Sequence, residues 1–225
     1  MIVECIINNN IQTRESFVLY VPQVIMCVKS TLTFKKMYKT IITIVLFVHL
    51  CIADADKNCP KIIKRSQWST QNAKSVNYII IPLPYVIIHH SVTPECNTKS
   101  QCISRAENIR SYHMDVLGWD DIGYSFLIGG DGNIYEGAGW NREGAHTYGY
   151  NKKSLGIGFI GSFENKPASN QMVEAAHKLI ICGKSKGILR EDVRVIGARQ
   201  VQSTADPGSE LYAQIQNWPE WAPDA

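Results

Sequence analysis

Two adjacent histidines, His89 and His90, close an apolar run, and four later patches carry groups able to meet them. These are His113, Tyr124, the stretch "GAHTYGYN" (144–151) with His146, Tyr148, Tyr150 and Asn151, and the loop "STADPG" (203–208) with Asp206. Imidazole nitrogens and carboxylates can ligate metals or move protons, while hydroxyls and amides bond polar ligands. Taken singly, each reads as a hydrogen-bonded interior histidine or a surface tyrosine. As a set, aromatic walls with scattered polar tips suit a groove for a polar, sugar-bearing ligand. Alternation along a strand points His89 and His90 to opposite faces, so at most one enters a given pocket.

The elements that must position these groups follow from periodicity. "YVIIHH" (85–90) is apolar on both alternating faces, as in a strand covered on both sides. "SQCISRAENIRSYHMDVLG" (100–118) has apolar groups at helical spacing and Gly118 as a C-terminal cap. "YSFLIGGDGNIYEG" (124–137) reads as a hairpin around Gly-Asp-Gly-Asn. "LGIGFIGSF" (155–163) is a second buried strand. A helix is expected over 169–187, a strand over 193–197, and a last helix from Pro207, where proline suits the first turn. Alternating strands and helices predict an α/β domain, a single central sheet flanked by helices, over 85–225. Residues 55–84 form an irregular N-terminal arm that belongs to it. The arm around Trp68 and the C-terminal "NWPEWAPDA" are aromatic enough either to dock a partner or to pack against the domain itself.

The chain has 225 residues, 45% of them hydrophobic and 19% charged, the balance of an ordinary globular protein. "MYKTIITIVLFVHLCIADA" (37–55) has a basic start, an apolar run from Ile41 to Ala53 and small residues after it. That is a secretory signal pattern, too short for a comfortable membrane span. Residues 37–54 are therefore read as a signal peptide that starts at Met37, and 1–36 as an upstream extension of the reading frame, unstructured or absent in vivo; the rival reading is an internal signal-anchor. Removing residues 1–54 leaves 18 basic against 17 acidic groups, so electrostatics argues for no nucleic acid and no anionic membrane as partner. Four cysteines remain: Cys59, Cys96, Cys102 and Cys182. An even number in an exported chain indicates disulfides, with three pairings open. Cys96 and Cys102 flank a short polar loop; closing it would leave Cys59 and Cys182 to tie the arm to the body. No C-x-x-C spacing supports a metal cluster instead.

"VIIHHSVTPEC", "DDIGYSFLIGGDGNIYEGAGW", "GAHTYGYNKKSLGIGFIGSF" and "STADPGSELYAQIQNWPEW" together resemble the peptidoglycan recognition proteins, from about Cys59 to Trp221. The resemblance implies the fold of zinc-dependent N-acetylmuramoyl-L-alanine amidases, with a central mixed sheet. It matches the family's first zinc histidine to His89, its catalytic-site tyrosine to Tyr124 and a further site residue to Thr204. The second zinc histidine falls at Ala198 and the cysteine ligand at Asp206. Catalytic zinc needs about three protein ligands plus a water whose pKa it lowers to about 7. The expectation is therefore no metal, no cofactor and no amidase activity; the alternative is an amidase with a remodelled metal site. The resemblance further implies that His90, Ser91, His113, Tyr124, His146, Tyr148 and Asn151 contact a muramyl sugar and stem peptide. Gly118-Trp119 matches members that prefer diaminopimelate stems, yet Ala138 stands where such members carry an arginine for the extra carboxylate. That conflict leans towards lysine-type or mixed binding. The implied partners are bacterial peptidoglycan fragments and downstream proteins of a serine-protease/Toll cascade, met outside the cell without a membrane anchor.

Overall fold

Strand Leu83–His90 organises the molecule, because Val86, Ile87 and Ile88 are all fully buried. A strand buried on both faces must lie inside a sheet covered by two layers. The computed structural model describes residues 18–21, 24–27, 39–45 and 59–224. Within Met1–Cys51, Val18–Val21 pairs antiparallel with Val24–Cys27, and residues 39–45 are helical. The stretches read from the sequence as an upstream extension (1–36) and a signal peptide (37–54) otherwise lie outside the described residues. Among the described residues, no helix is long and apolar enough to cross a membrane.

In the unit Ile52–Ala225, the strands are β1 (Ile62–Ile63), β2 (Leu83–His90), β3 (Phe126–Ile128), β4 (Ile134–Glu136), β5 (Ser154–Phe159) and β6 (Leu189–Gly197). The helices are α1 (Lys99–Ser111), α2 (Asn170–Ser185) and α3 (Ser209–Ile215). They build one mixed sheet in the order β1-β4-β3-β5-β2-β6. Only the β3–β4 hairpin is antiparallel; β2 runs parallel to both β5 and β6. Val86, Ile88, Phe126, Ile128, Ile157 and Phe159 meet α2 and α3 on one face. Leu127, Tyr135 and Ile160 meet α1 and the arm on the other. The α/β class and the mixed sheet between helical layers are as expected.

Three details differ from the sequence expectations. The arm is not irregular throughout: it contributes β1 and a single helical turn at Arg65–Gln67, and β2 already begins at Leu83. Arg65 clamps it down, pairing bidentately with Asp121 (2.8 and 3.0 Å) and donating to Gly137 O at 2.7 Å. Trp68 is buried and donates to Glu136 O, and Trp218 is buried at the other end, so both aromatic clusters pack inward. Helix α3 starts at Ser209 rather than Pro207. Gly208 takes φ +91° there; Ser209 N donates to the Glu164 carboxylate at 3.0 Å, and Glu210 N and Leu211 N find their acceptor in Phe163 O. Finally, α1 ends at Ser111 and passes into a π-turn over Tyr112–Val116, closed by Leu117 N donating to Tyr112 O. Gly118 then reverses the chain at φ +72°, as a capping glycine does. The disulfides are Cys59–Cys182 and Cys96–Cys102.

Candidate functional site

The carboxyl end of β2 delivers two imidazoles to two sides of the sheet. His89 shares its side with Tyr85 and Ile87, against Ile196 and Ala198; His90 shares the side of Val86 and Ile88, where its Nδ1 accepts from Phe163 N at 3.2 Å. Strand alternation anticipated this split. Beside them opens a groove of about 440 Å³, lined by His90, Ser91, Val92, Thr93, Asn108, Ile109, Tyr112, His113, Tyr124, Thr204, Ala205 and Asp206. Ligand sites outside the carboxyl ends of parallel strands are a general feature of open α/β sheets.

The loop after β6 carries Asp206 back onto β2. Arg199 N donates to Asp206 O at 2.9 Å, and Asp206 N donates to Thr204 Oγ1 at 3.2 Å, which folds residues 198–206 into a fixed arch. The Asp206 carboxylate then spans two neighbours: Oδ2 meets His89 Nδ1 at 2.5 Å, and Oδ1 accepts from His90 N at 2.7 Å. Behind His89, its Nε2 lies 3.2 Å from both His146 Nδ1 and Thr147 Oγ1. His146 packs against β5 so closely that a Cβ at Gly156 would fall 2.4 Å from its ring, and Tyr124 similarly crowds Gly158. Thr147 and these two glycines were not singled out in the sequence, though a G-x-G inside a buried strand signals close approach.

Burial shapes the titration of these groups. Desolvation holds His113 down to about 4, against the opposing charge of Asp121. Its neutral form is also fixed by geometry, since Nδ1 accepts from Gly123 N at 3.0 Å. Burial lowers His90 despite Asp206, and lowers His146 strongly, helped by His89. Burial first, then the Asp206 charge, pushes the Tyr124 phenol upward. The groove thus offers neutral imidazoles and a neutral phenol beside the Asp206 carboxylate.

Of the residues singled out in the sequence, the groove gathers His90, Ser91, His113, Tyr124, Thr204 and Asp206. The others lie outside that lining. His146 stands behind His89, and Asn151 accepts from His146 N and Thr147 N, so it braces the loop. Tyr148 is 91% exposed on the turn. Trp119 lies against the His113 ring at 4.6 Å between centroids. Ala138 borders a different hollow, of about 810 Å³, shared with the arm residues Arg65, Gln71 and Tyr78. Tyr112, Val92, Thr93 and Asn108 join the groove unannounced, because rim membership depends on the π-turn and on the loop after β2.

The amidase fold implies zinc at His89, and the residues present do not fit that ion. Ala198 is a fully buried methyl without a donor atom. Both Asp206 oxygens are already engaged, one by His89 itself. Among the described residues, no cluster of three or more His, Cys, Asp or Glu side chains is arranged to hold a metal.

Comparison with known proteins agrees with the fold. The family model of N-acetylmuramoyl-L-alanine amidase matches residues 81–209. Peptidoglycan-recognition protein 2 of Holotrichia diomphalia is 46% identical over 178 residues, covering 79% of this chain and 94% of that protein. The X-ray structure of bumblebee PGRP-SA is similar at 72% sequence identity and a TM-score of 0.73, covering 74% of this chain and 100% of that one. Peptidoglycan recognition protein-LE, solved in complex with tracheal cytotoxin, a monomeric diaminopimelic acid-type peptidoglycan, is 39% identical at a TM-score of 0.70, over 72% of this chain and 95% of that one. A conserved architecture, an interlocked strand end and relatives matched over most of their length lead to one conclusion: the chain belongs to the peptidoglycan-recognition proteins, built on the N-acetylmuramoyl-L-alanine amidase fold.

Proposed function

We propose that this protein is a secreted, non-catalytic receptor for bacterial peptidoglycan fragments. In this reading it relays their presence to protein partners of a serine-protease/Toll cascade. One observation carries the non-catalytic reading: the Asp206 carboxylate closes on His89 where an amidase needs a ligand set open to zinc. With a methyl at 198 and both carboxylate oxygens committed, nothing supplies the activated water that hydrolysis of an unstrained amide requires.

Binding is supported by what the groove retains. His113 is neutral and keeps its Nε2 hydrogen for donation, and Ser91 and Thr204 bring hydroxyls. These groups suit the lactyl, amide and carboxylate oxygens of a muramyl peptide. The Tyr124 and Tyr112 rings would cover its aliphatic parts. A relative of the same fold is bound to tracheal cytotoxin, which supports a peptidoglycan fragment as the ligand here. Preference for the stem's third residue is read as lysine-type or mixed. Ala138 carries no guanidinium for a second carboxylate, while Trp119 packs against the His113 ring. Secretion is supported by the signal pattern at 37–54 and by two disulfides in the body.

Calorimetry with lysine-type and diaminopimelate-type muramyl tripeptides tests the reading, alongside an assay for free stem peptide released from peptidoglycan with added zinc. The expected outcome is saturable 1:1 binding, no weaker for the lysine form, with no released peptide. Zinc-dependent turnover would overturn the non-catalytic assignment, and absence of heat with either tripeptide would overturn the receptor assignment.

A further inference from the structure

Among the described residues other than glycine, only Val92 has a positive φ, at +51°. A β-branched side chain collides with its own backbone in this left-handed region, so the conformation carries a steric penalty. The surroundings hold it there. Val92 N donates to Gly161 O at 2.9 Å, the flanking Ser91 and Thr93 hydroxyls bond each other at 2.7 Å, and Gly161 N donates to Ser91 Oγ at 3.0 Å. Glycine would satisfy the same turn without the penalty.

The isopropyl group does not offset that penalty by packing. It is 67% exposed, and it lies on the lining of the groove. Tyr112, 53% exposed, is the other large apolar side chain left open in the same lining. Strain that the fold enforces but does not use for its core belongs to binding and switching sites. A cavity whose wall mixes hydroxyls, imidazoles and a carboxylate with exposed apolar surface suits a ligand that mixes hydrogen-bonding atoms with methyl groups.

We infer that Val92 is a ligand-binding contact, covering, together with Tyr112, the lactyl or alanine methyl groups of a bound muramyl peptide. The inference rests on the peptidoglycan-binding reading above. Val92→Gly separates fold from function, because relieving the turn and removing the contact act in opposite directions. Thermal unfolding is expected to stay level or rise by a few degrees, while the Kd for the lysine-type muramyl tripeptide weakens by about 3- to 10-fold. Val92→Thr preserves shape and β-branching but replaces a methyl with a hydroxyl; it is expected to weaken binding by about 2- to 4-fold at unchanged stability. If the wild type binds the tripeptide and both variants match its Kd, the inference is wrong while the receptor reading stands. If Val92→Gly also unfolds earlier, Val92→Thr decides: a Kd equal to wild type overturns the inference. Failure of the wild type to bind overturns both.

Discussion

At the residue scale, Asp206 ties two distant segments together. A carboxylate reaches His89 and the His90 amide at once, so it cross-links the loop after β6 to the end of β2 without an ion. Hydrogen bonds to charged groups contribute about 1.5–3 kcal/mol each. Asp206→Asn keeps an acceptor for His90 N but loses the anion facing His89 Nδ1. It should lower stability by about 1–3 kcal/mol, read as a fall in Tm of roughly 3–10 °C for a chain of this size. Zinc should restore none of it, and neither zinc nor chelator should move the wild-type Tm. A wild-type Tm that climbs with stoichiometric zinc would show that the carboxylate yields to a metal.

At the element scale, α1 and the arm are held by covalent and ionic ties of different reach. Cys96–Cys102 spans six residues and braces the start of α1; Cys59–Cys182 spans 123 and joins the arm to α2. In the chain-entropy account the long closure contributes about 5 kcal/mol and the short one about 2. Thermal scans of the paired alanine variants should therefore rank them, with Cys59→Ala/Cys182→Ala losing more than twice as much Tm as Cys96→Ala/Cys102→Ala. Arg65, Arg110 and Asp121 form a second fastening of the arm, since Asp121 accepts from both guanidiniums. Equal losses from the two disulfide variants would mean that this ionic fastening, not the disulfide, restrains the arm. The π-turn after α1 is the element that sets His113 into the groove wall beneath Trp119, in keeping with the tendency of such turns to sit at functional sites.

At the scale of the whole molecule, desolvated histidines set a pH limit. His113 is held at about 4 by burial, and His177 is also lowered from 6.5 by burial, with Glu220 opposing. A group whose folded pKa lies below its unfolded value takes up its proton preferentially in the unfolded chain. Stability is therefore full above the unfolded value near 6.5 and declines as pH falls towards 4. Melting curves should show Tm steady from pH 8 to 7 and dropping progressively between pH 6.5 and 4. His113→Gln, whose amide oxygen can still accept from Gly123 N, should flatten that slope even if it lowers Tm at neutral pH. An unchanged slope in that variant would assign the acid sensitivity to other groups.

Periodicity and residue type alone determined the layered α/β class, the order of the elements from β2 onward, the opposite aim of His89 and His90, and the lack of a donor at Ala198. These are local properties: a period of two or 3.6 residues is written in adjacent positions, and a methyl cannot ligate in any fold. The family resemblance likewise sat in contiguous motifs. Only the tertiary structure decided that Asp206 locks onto His89, because the two are 117 positions apart and meet through the β2–β6 pairing and the stitched 198–206 loop. It also made Asn151 a brace of the 144–151 loop, set Ala138 beside a hollow shared with the arm, and raised Val92 into the groove wall. Each outcome depends on distances between segments far apart along the chain, which sequence spacing does not encode.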